Sequence, residues 1–358
     1  MKLRSVLTEA IRNVKSGASG AVVWLAVAVA VGAGTYLLDT LQAVQVLQTA
    51  YTFDERGGST VQVRSDQAID ADRCVALDSV PGVQGAVALR FTDSVISPVV
   101  RPDNPIPVVE TAGDAATLLG ASTAPQPGLL LPDGLATVIG AERGSNLPLT
   151  SGEQVAVRGI YNFPEDGRDS RLASSAVAGT ADHRPFDECW IHVWPVNDKL
   201  LDLVLYAADS GADDAAIPEV NQLNTTLGTD PGFDAQFRER GTQLIAAAGV
   251  GLFVLVGFAA VWMRRLEIST SLQLGVRKRH LILQHVVEGA TWVLPASILL
   301  GSIGFAIVMT SARPPDASAL LEELTVHALA AVAGVLVGGA LAVLTVNPNL
   351  QYTYLKSR

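Results

Sequence analysis

The sequence predicts an α-helical membrane protein with four transmembrane helices and a large α+β extracytoplasmic domain on a helical stalk. Of its 358 residues, 49% are hydrophobic and 17% charged, and mean hydropathy is +0.33. That is too apolar for an ordinary soluble domain and too polar for a chain wholly in lipid. Four apolar runs, 21–38, 244–262, 286–309 and 328–346, approach the roughly 20 residues that cross about 30 Å of hydrocarbon. Between the first two runs, residues 41–240 carry 28 carboxylates against 13 basic groups, more than the whole chain's formal charge of -10. An acidic, soluble region of this kind has no reason to bind nucleic acid.

Residues 1–17 are read as a cytoplasmic amphipathic helix on the membrane surface. Leu3, Val6, Leu7, Ala10, Ile11 and Val14 recur at helical spacing, and Gly17 and Gly20 separate them from the first apolar run. Transmembrane helix 1 takes 18–40. The length ahead of its apolar core and the lack of a cleavage site make it a retained span, not a secretory leader. The extracytoplasmic domain then covers 41–240, helix 2 241–263, a cytoplasmic elbow 264–285, helix 3 286–310, an outer loop 311–327, helix 4 328–347 and a tail 348–358. Basic residues set the orientation: Lys2, Arg4, Arg12 and Lys15 before span 1, Arg264, Arg265, Arg277, Lys278 and Arg279 between spans 2 and 3, and Lys356 and Arg358 at the end. The connection between spans 3 and 4 has only Arg313 against Asp316, Glu322 and Glu323, so both termini and the elbow are expected in the cytoplasm of a cell-membrane protein.

Helix formers continue past span 1 through Leu41, Val44, Leu47 and Tyr51, and a charged helix leads into span 2, which together predict the stalk. Residues 58–91 read as strand, helix, strand, with Asp70 or Asp72 as the helix cap. A partial second copy, strand then amphipathic helix, is expected over 201–228. The stretch between, about 107–195, is broken by Gly, Pro, Asp and Ser and reads as a small, mostly β insertion. Cys74 and Cys189 both fall outside the membrane, where an even pair suggests a disulfide; two buried thiols are the alternative.

Several chemistries are missing from the sequence. There is no G-x-x-x-x-G-K-[ST] loop, so no Walker-type ATP site, and no G-x-S-x-G, H-E-x-x-H or C-x-x-C motif. His183, His192, His280, His285 and His327 show no metal-ligand spacing. Glu165, Asp166 and Asp169 read as a solvated acidic loop. Glu288, Asp39 and His327 stand at span ends, none at a bilayer centre, so no polar channel is written into the spans.

The elbow is the informative segment. Two short helices broken at Gly275, where glycine allows a left-handed residue, fit its pattern. Positive-inside topology accounts for its charge but not for its order. Arg264, Arg265, Glu267, Ile268, Leu274, Gly275, Arg277, Lys278, Leu281 and Glu288 together resemble the signature of MacB/FtsX-type ABC transporter permeases, the type VII transporters. The pattern departs from that family at Ser271, Leu272, Gln273 and Val276. The resemblance covers the whole layout. It implies Porter-like and Sabre-like subdomains for the strand-helix-strand part and the insertion, and it makes the elbow, with Arg279, the contact for a separate ATPase that would hold the ATP and Mg; this chain would need no cofactor.

The resemblance further implies a second permease, identical or a paralogue, and mechanotransmission: ATP-driven closure moves the outer domain instead of a solute through the spans. Export or extraction of a peptide, antibiotic or lipoprotein is the leading expectation, with an extracytoplasmic lipoprotein or adaptor as further partner. Control of a cell-wall hydrolase is the second reading. A membrane-anchored sensor or scaffold with no energy input is the alternative of another class.

Overall fold

In the computed structural model, the residues described are 3–182, 184–194, 204–208, 218–228 and 232–356. They fall into two compact units, residues 1–50 with 232–358, and residues 51–231.

The first unit is helical. It begins with α1 (Leu3–Lys15), α2 (Ala21–Gly32), a π turn (Ala33–Leu37) and α3, which runs Leu38–Glu55. Val6, Ala10 and Asn13 of α1 are buried while Leu7 and Ile11 are exposed. The helix therefore turns one face to protein and leaves apolar Leu7 and Ile11 on the other.

The second unit is built on one ten-stranded sheet. It contains β1 (Thr60–Ile69), α4 (Ala71–Ala76), β2 (Val83–Ile96), β3 (Ile106–Gly113), α5 (Ala115–Leu118), β4 (Ser122–Thr123), β5 (Leu129–Pro132) and α6 (Asp133–Ile139). There follow β6 (Asn146–Pro148), β7 (Gln154–Tyr161), β8 (Ala176–Gly179), β9 (Phe186–Val193) and β10 (Glu219–Gln222). The order is β10-β1-β9-β2-β3-β8-β5-β7-β4, with β6 on β7; β3 with β8 and β5 with β7 are parallel.

Side chains alternate as the pleat requires. Ala86, Ala88, Cys189 and Ile191 join Val61, Val63 and Leu77 in one core, while Val87, Leu89 and Trp190 pack with Tyr161, Phe163 and Leu172 in another. Asp70 caps α4, accepting from the N–H groups of Asp72 and Arg73. Cys74 of α4 is bonded to Cys189 of β9, 115 residues away. Glu188, 1% exposed, is neutralised by Arg64 Nε at 2.6 Å and Arg171 Nη1 at 2.7 Å and accepts from Trp190 Nε1 at 2.8 Å.

Three expectations change in this unit. β9 lies between β1 and β2, so the 107–195 stretch is part of the same sheet and not a separate insertion. Of the expected second copy, 201–203 and 209–217 lie outside the described residues. In the described part, Leu205–Ala207 is a 3-10 turn where a strand was expected, and Glu219–Gln222 is strand β10, pairing Val61 with Gln222 on the edge of β1. Pro218, Val220, Asn221 and Asn224 are weak helix formers, and the ladder to β1 outweighs their residual propensity. Two of the three loop carboxylates are paired rather than solvated, Asp166 with Arg168 at 2.7 Å and Asp169 with Arg171, while Glu165 is exposed as expected.

The chain returns to the helical unit with α7 (Phe233–Arg238), α8 (Gly241–Trp262), α9 (Arg265–Gln273), α10 (Lys278–Ser311), α11 (Pro314–Thr345) and α12 (Gln351–Lys356). Among the described residues, four helices are long and apolar enough to cross a membrane: Ala21–Glu55, Ala235–Trp262, Lys278–Ser311 and Pro314–Thr345. This is a multi-pass membrane protein with a mixed sheet and helix domain. The expected outer loop 311–327 is helical from Pro314, because Pro314 and Pro315 sit in the first turn, where a missing N–H is harmless, and Asp316 suits the helix N-terminus. The bundle packs backbone on backbone: a Cβ on Gly257 would lie 2.1 Å from the Val335 carbonyl oxygen, and one on Gly338 would lie 2.0 Å from that of Val254.

Candidate coupling site

The elbow begins where α8 stops. Arg264 stands ahead of α9 with non-helical backbone (φ -99°), which sends its side chain back across the helix end. Its Nε and Nη2 donate to the two Glu267 oxygens at 2.8 and 2.7 Å, and its Nη1 pairs with Glu288 Oε2. Burial pulls the Arg264 pKa down, but the hydrogen bonds and charges of Glu267 and Glu288 more than offset this and hold it above its ordinary value.

Glu288 is the hub. It is 3% exposed and lies one turn after Gln284 and His285 on α10. Besides Arg264, it accepts from Asn13 Nδ2 at 2.7 Å and Gln284 Nε2 at 3.1 Å and sits 3.2 Å from His285 Nδ1. One carboxylate thus ties α1, the elbow and α10 together. Ser19, Arg264, His285, Glu288 and Trp292 line a cavity of about 20 Å³ beside it, the size of a single water.

The α9 helix is fixed from below by Ile268, 1% exposed, in an apolar cluster with Val261, Leu281, Ala342, Val343, Val346 and Tyr354. Arg265 lies over the rings of Trp262 and Tyr354, 5.9 and 5.8 Å from their centroids. α12, which supplies Tyr354, is tied to α9 through Gln351 Nε2 and Thr270 Oγ1 at 3.2 Å.

The helix ends in a Schellman turn. Val276 N–H reaches the Ser271 carbonyl at 3.1 Å and Gly275 N–H that of Leu272 at 3.0 Å, with Gly275 at φ +83°. Space around Gly275 is open, so its backbone conformation, not packing, demands glycine. The second helix of the elbow is not short: α10 runs unbroken from Lys278 to Ser311. Lys278 Nζ donates to the Leu344 carbonyl at 2.7 Å near the end of α11.

Nine of the elbow residues singled out by sequence, those expected at the ATPase contact, therefore divide. Glu267, Leu274, Gly275, Arg277 and Arg279 face outward, whereas Ile268 is core, Arg264 is internal, Arg265 stacks on rings and Lys278 holds a helix end. Sequence reasoning missed Asn13, Gln284, His285 and Tyr354 as participants. The i-4 and i-3 spacing of Gln284 and His285 from Glu288 was readable; Asn13, 275 residues away, left no local signal.

No protein-family model matches the chain, and no curated protein matches it. Among solved structures the chain is similar to the periplasmic region of MacB from Actinobacillus actinomycetemcomitans, with TM-score 0.33 and 11% identity over 48% of this chain and 92% of that one. It is also similar to the extracellular domain of the noncanonic ABC-type transporter YknZ from Gram-positive bacteria, with TM-score 0.27 and 10% identity over 41% of this chain and 93% of that one.

Proposed function

We propose that this chain is the permease subunit of a MacB/FtsX-type ABC transporter, coupling ATP hydrolysis in a separate subunit to movement of its sheet domain outside the cell membrane. The observation that carries the reading is the construction of the elbow, from Arg264 through α9 into the start of α10. It has an open outer surface at Glu267, Leu274, Arg277 and Arg279, and it is anchored inside by Ile268 and by Arg264 on Glu288. An elbow built this way passes a push from a partner into α10 and α1 instead of absorbing it.

The absence of a Walker motif from the sequence fits work supplied by an ATPase partner, which would hold ATP and Mg. Basic residues flanking the elbow support its place in the cytoplasm. The Cys74–Cys189 bond supports an oxidising compartment for the sheet domain. Spans with charge only at their ends suit a machine that moves an outer domain, working as a pair of permeases, and the cargo class we assign is a peptide, antibiotic or lipoprotein met outside.

Mild-detergent purification of the tagged protein from its host, with mass spectrometry and ATPase assay of the eluate, tests this. A co-purifying ATPase is expected, lost with Gly275→Leu and Arg277→Glu. An outer hydrolase in the eluate would redirect the reading to hydrolase control. Recovery of the protein alone, without nucleotide hydrolysis, would replace it by a sensor or scaffold.

A further inference from the structure

Span 1 is not a uniform α-helix. Residues 33–37 form a π turn, and the Leu38 N–H reaches back five residues to the Ala33 carbonyl. A π turn holds one residue more than an α turn and is frequent at functional positions. Two hydroxyls serve it: Thr35 Oγ1, inside the turn, donates to the Val31 carbonyl at 2.8 Å, and Thr40 Oγ1, after it, to that of Tyr36 at 2.9 Å. One carbonyl before the turn and one within it thus have a side-chain donor that does not depend on the backbone ladder. A Cβ on Gly32 would lie 2.5 Å from Leu300 Cδ1 and 2.9 Å from Tyr36 Cε1, and Gly34 meets nothing within 4 Å. Small residues therefore leave the turn unwedged from either side.

Just beyond it the helix is clamped. Asp39, 3% exposed, accepts from Arg240 Nε at 2.8 Å, Arg240 Nη2 at 3.2 Å and Thr242 Oγ1 at 2.6 Å. Arg240 also reaches Glu323 at 2.5 Å and the Phe237 carbonyl at 2.9 Å. The turn's extra residue decides which side chain meets Arg240. Without it, Leu38, now 44% exposed, would take the place of Asp39, and everything beyond would turn by about 100° and shift by about 1.5 Å.

We propose that the π turn is a register hinge: beyond Leu37, span 1 has two registers one residue apart, and the Asp39–Arg240 pair selects the one with the π turn. Ala43 and Val44 are buried against Val308, Ala317 and Leu320, and Gln45 is exposed. In the other register Ala43 occupies the place of Val44, and Val44 the exposed place of Gln45.

Thiol labelling of the full-length protein in membranes tests this, and the disulfide-bonded Cys74 and Cys189 contribute no competing thiol. Val44→Cys and Ala43→Cys are each made alone and with the exchange L38D/D39L, which delivers the acid to Arg240 only in the α register. With the exchange, Val44→Cys should react with a soluble maleimide at least about tenfold faster, while Ala43→Cys stays within about twofold of its parent. Faster labelling of both would mean mere loosening, and of neither no slip; either overturns the hinge. Failure of the exchange variant to fold overturns it too, since the second register is what should rescue the misplaced acid. None of these readouts involves an ATPase, so the hinge stands or falls apart from the coupling reading.

Discussion

Glu288→Ala is the sharpest probe of the coupling site. It removes the acceptor shared by Asn13, Arg264, Gln284 and His285. Breaking a buried ion pair from one side costs about 3–5 kcal/mol. Arg264 keeps Glu267 through bonds of 2.8 and 2.7 Å, which places the loss at the lower end, about 3 kcal/mol. For a unit of this size that lowers Tm by about 6–12 °C. Thermal unfolding of the full-length protein in detergent, with Asn13→Ala and the double variant, reads it. Asn13→Ala alone deletes one hydrogen bond to a charged group, about 1.5–3 kcal/mol. With the carboxylate already gone it should add little, leaving a coupling energy of about 1–2 kcal/mol. A Tm within about 2 °C of the parent for Glu288→Ala, or strict additivity in the double variant, would refute the hub.

Reducing Cys74–Cys189, or replacing both by Ala, reopens a loop of 115 residues and should destabilise the sheet unit by about 4 kcal/mol in calorimetry with and without reductant, leaving the helical transition in place. The Arg168 hydrogen bond is the main cause holding the Asp166 carboxyl below its ordinary range. Its stabilisation is present above the unfolded carboxylate pKa near 4 and is lost as pH falls through the lower folded value. Acid unfolding of Asp166→Asn should accordingly have a shallower limb below about pH 4 than the parent. Gly338→Ala sets a Cβ 2.0 Å from the Val254 oxygen and should cost about 1–3 kcal/mol in thermal unfolding, whereas Gly251→Ala, with open space around it, should be close to neutral.

The four spans were legible because hydrophobic length is a property of the chain itself, and the elbow because a left-handed glycine, a basic run and a helix start are all local signals. The strand at Glu219–Gln222 was not, since four residues become a strand only when a free sheet edge lies beside them, and β1 offers one. The central place of β9 was hidden for a similar reason: its alternation shows that it is a strand, but not between which strands it inserts. At the coupling site, Arg264 and Glu288 stand out as charges next to apolar runs. Asn13 does not, because an asparagine in a surface-looking helix becomes the partner of a buried carboxylate only after α1 docks on α10.

The placement of charge bears on how the bundle can work. Span interiors carry no ionisable side chains, and polar side chains are concentrated at their ends, Glu288 with Arg264 at one, Asp39 with Arg240 and Glu323 at the other. A buried ion pair adds little net stability over an apolar one, but it is costly to misalign, so it defines position more than it defines strength. Between these pairs the helices interlock through large side chains, Tyr36, Phe253, Trp292 and Leu300 among them, and meet backbone to backbone at Gly257 and Gly338. A bundle pinned at its ends and close-packed between them has few stable arrangements, separated by the breaking and remaking of one or two pairs and the repacking of that interior. Such a bundle answers a push with a discrete step and not with a graded deformation. The register of span 1 is where a one-residue step would first be visible, because the π turn already stores the extra residue that such a step requires.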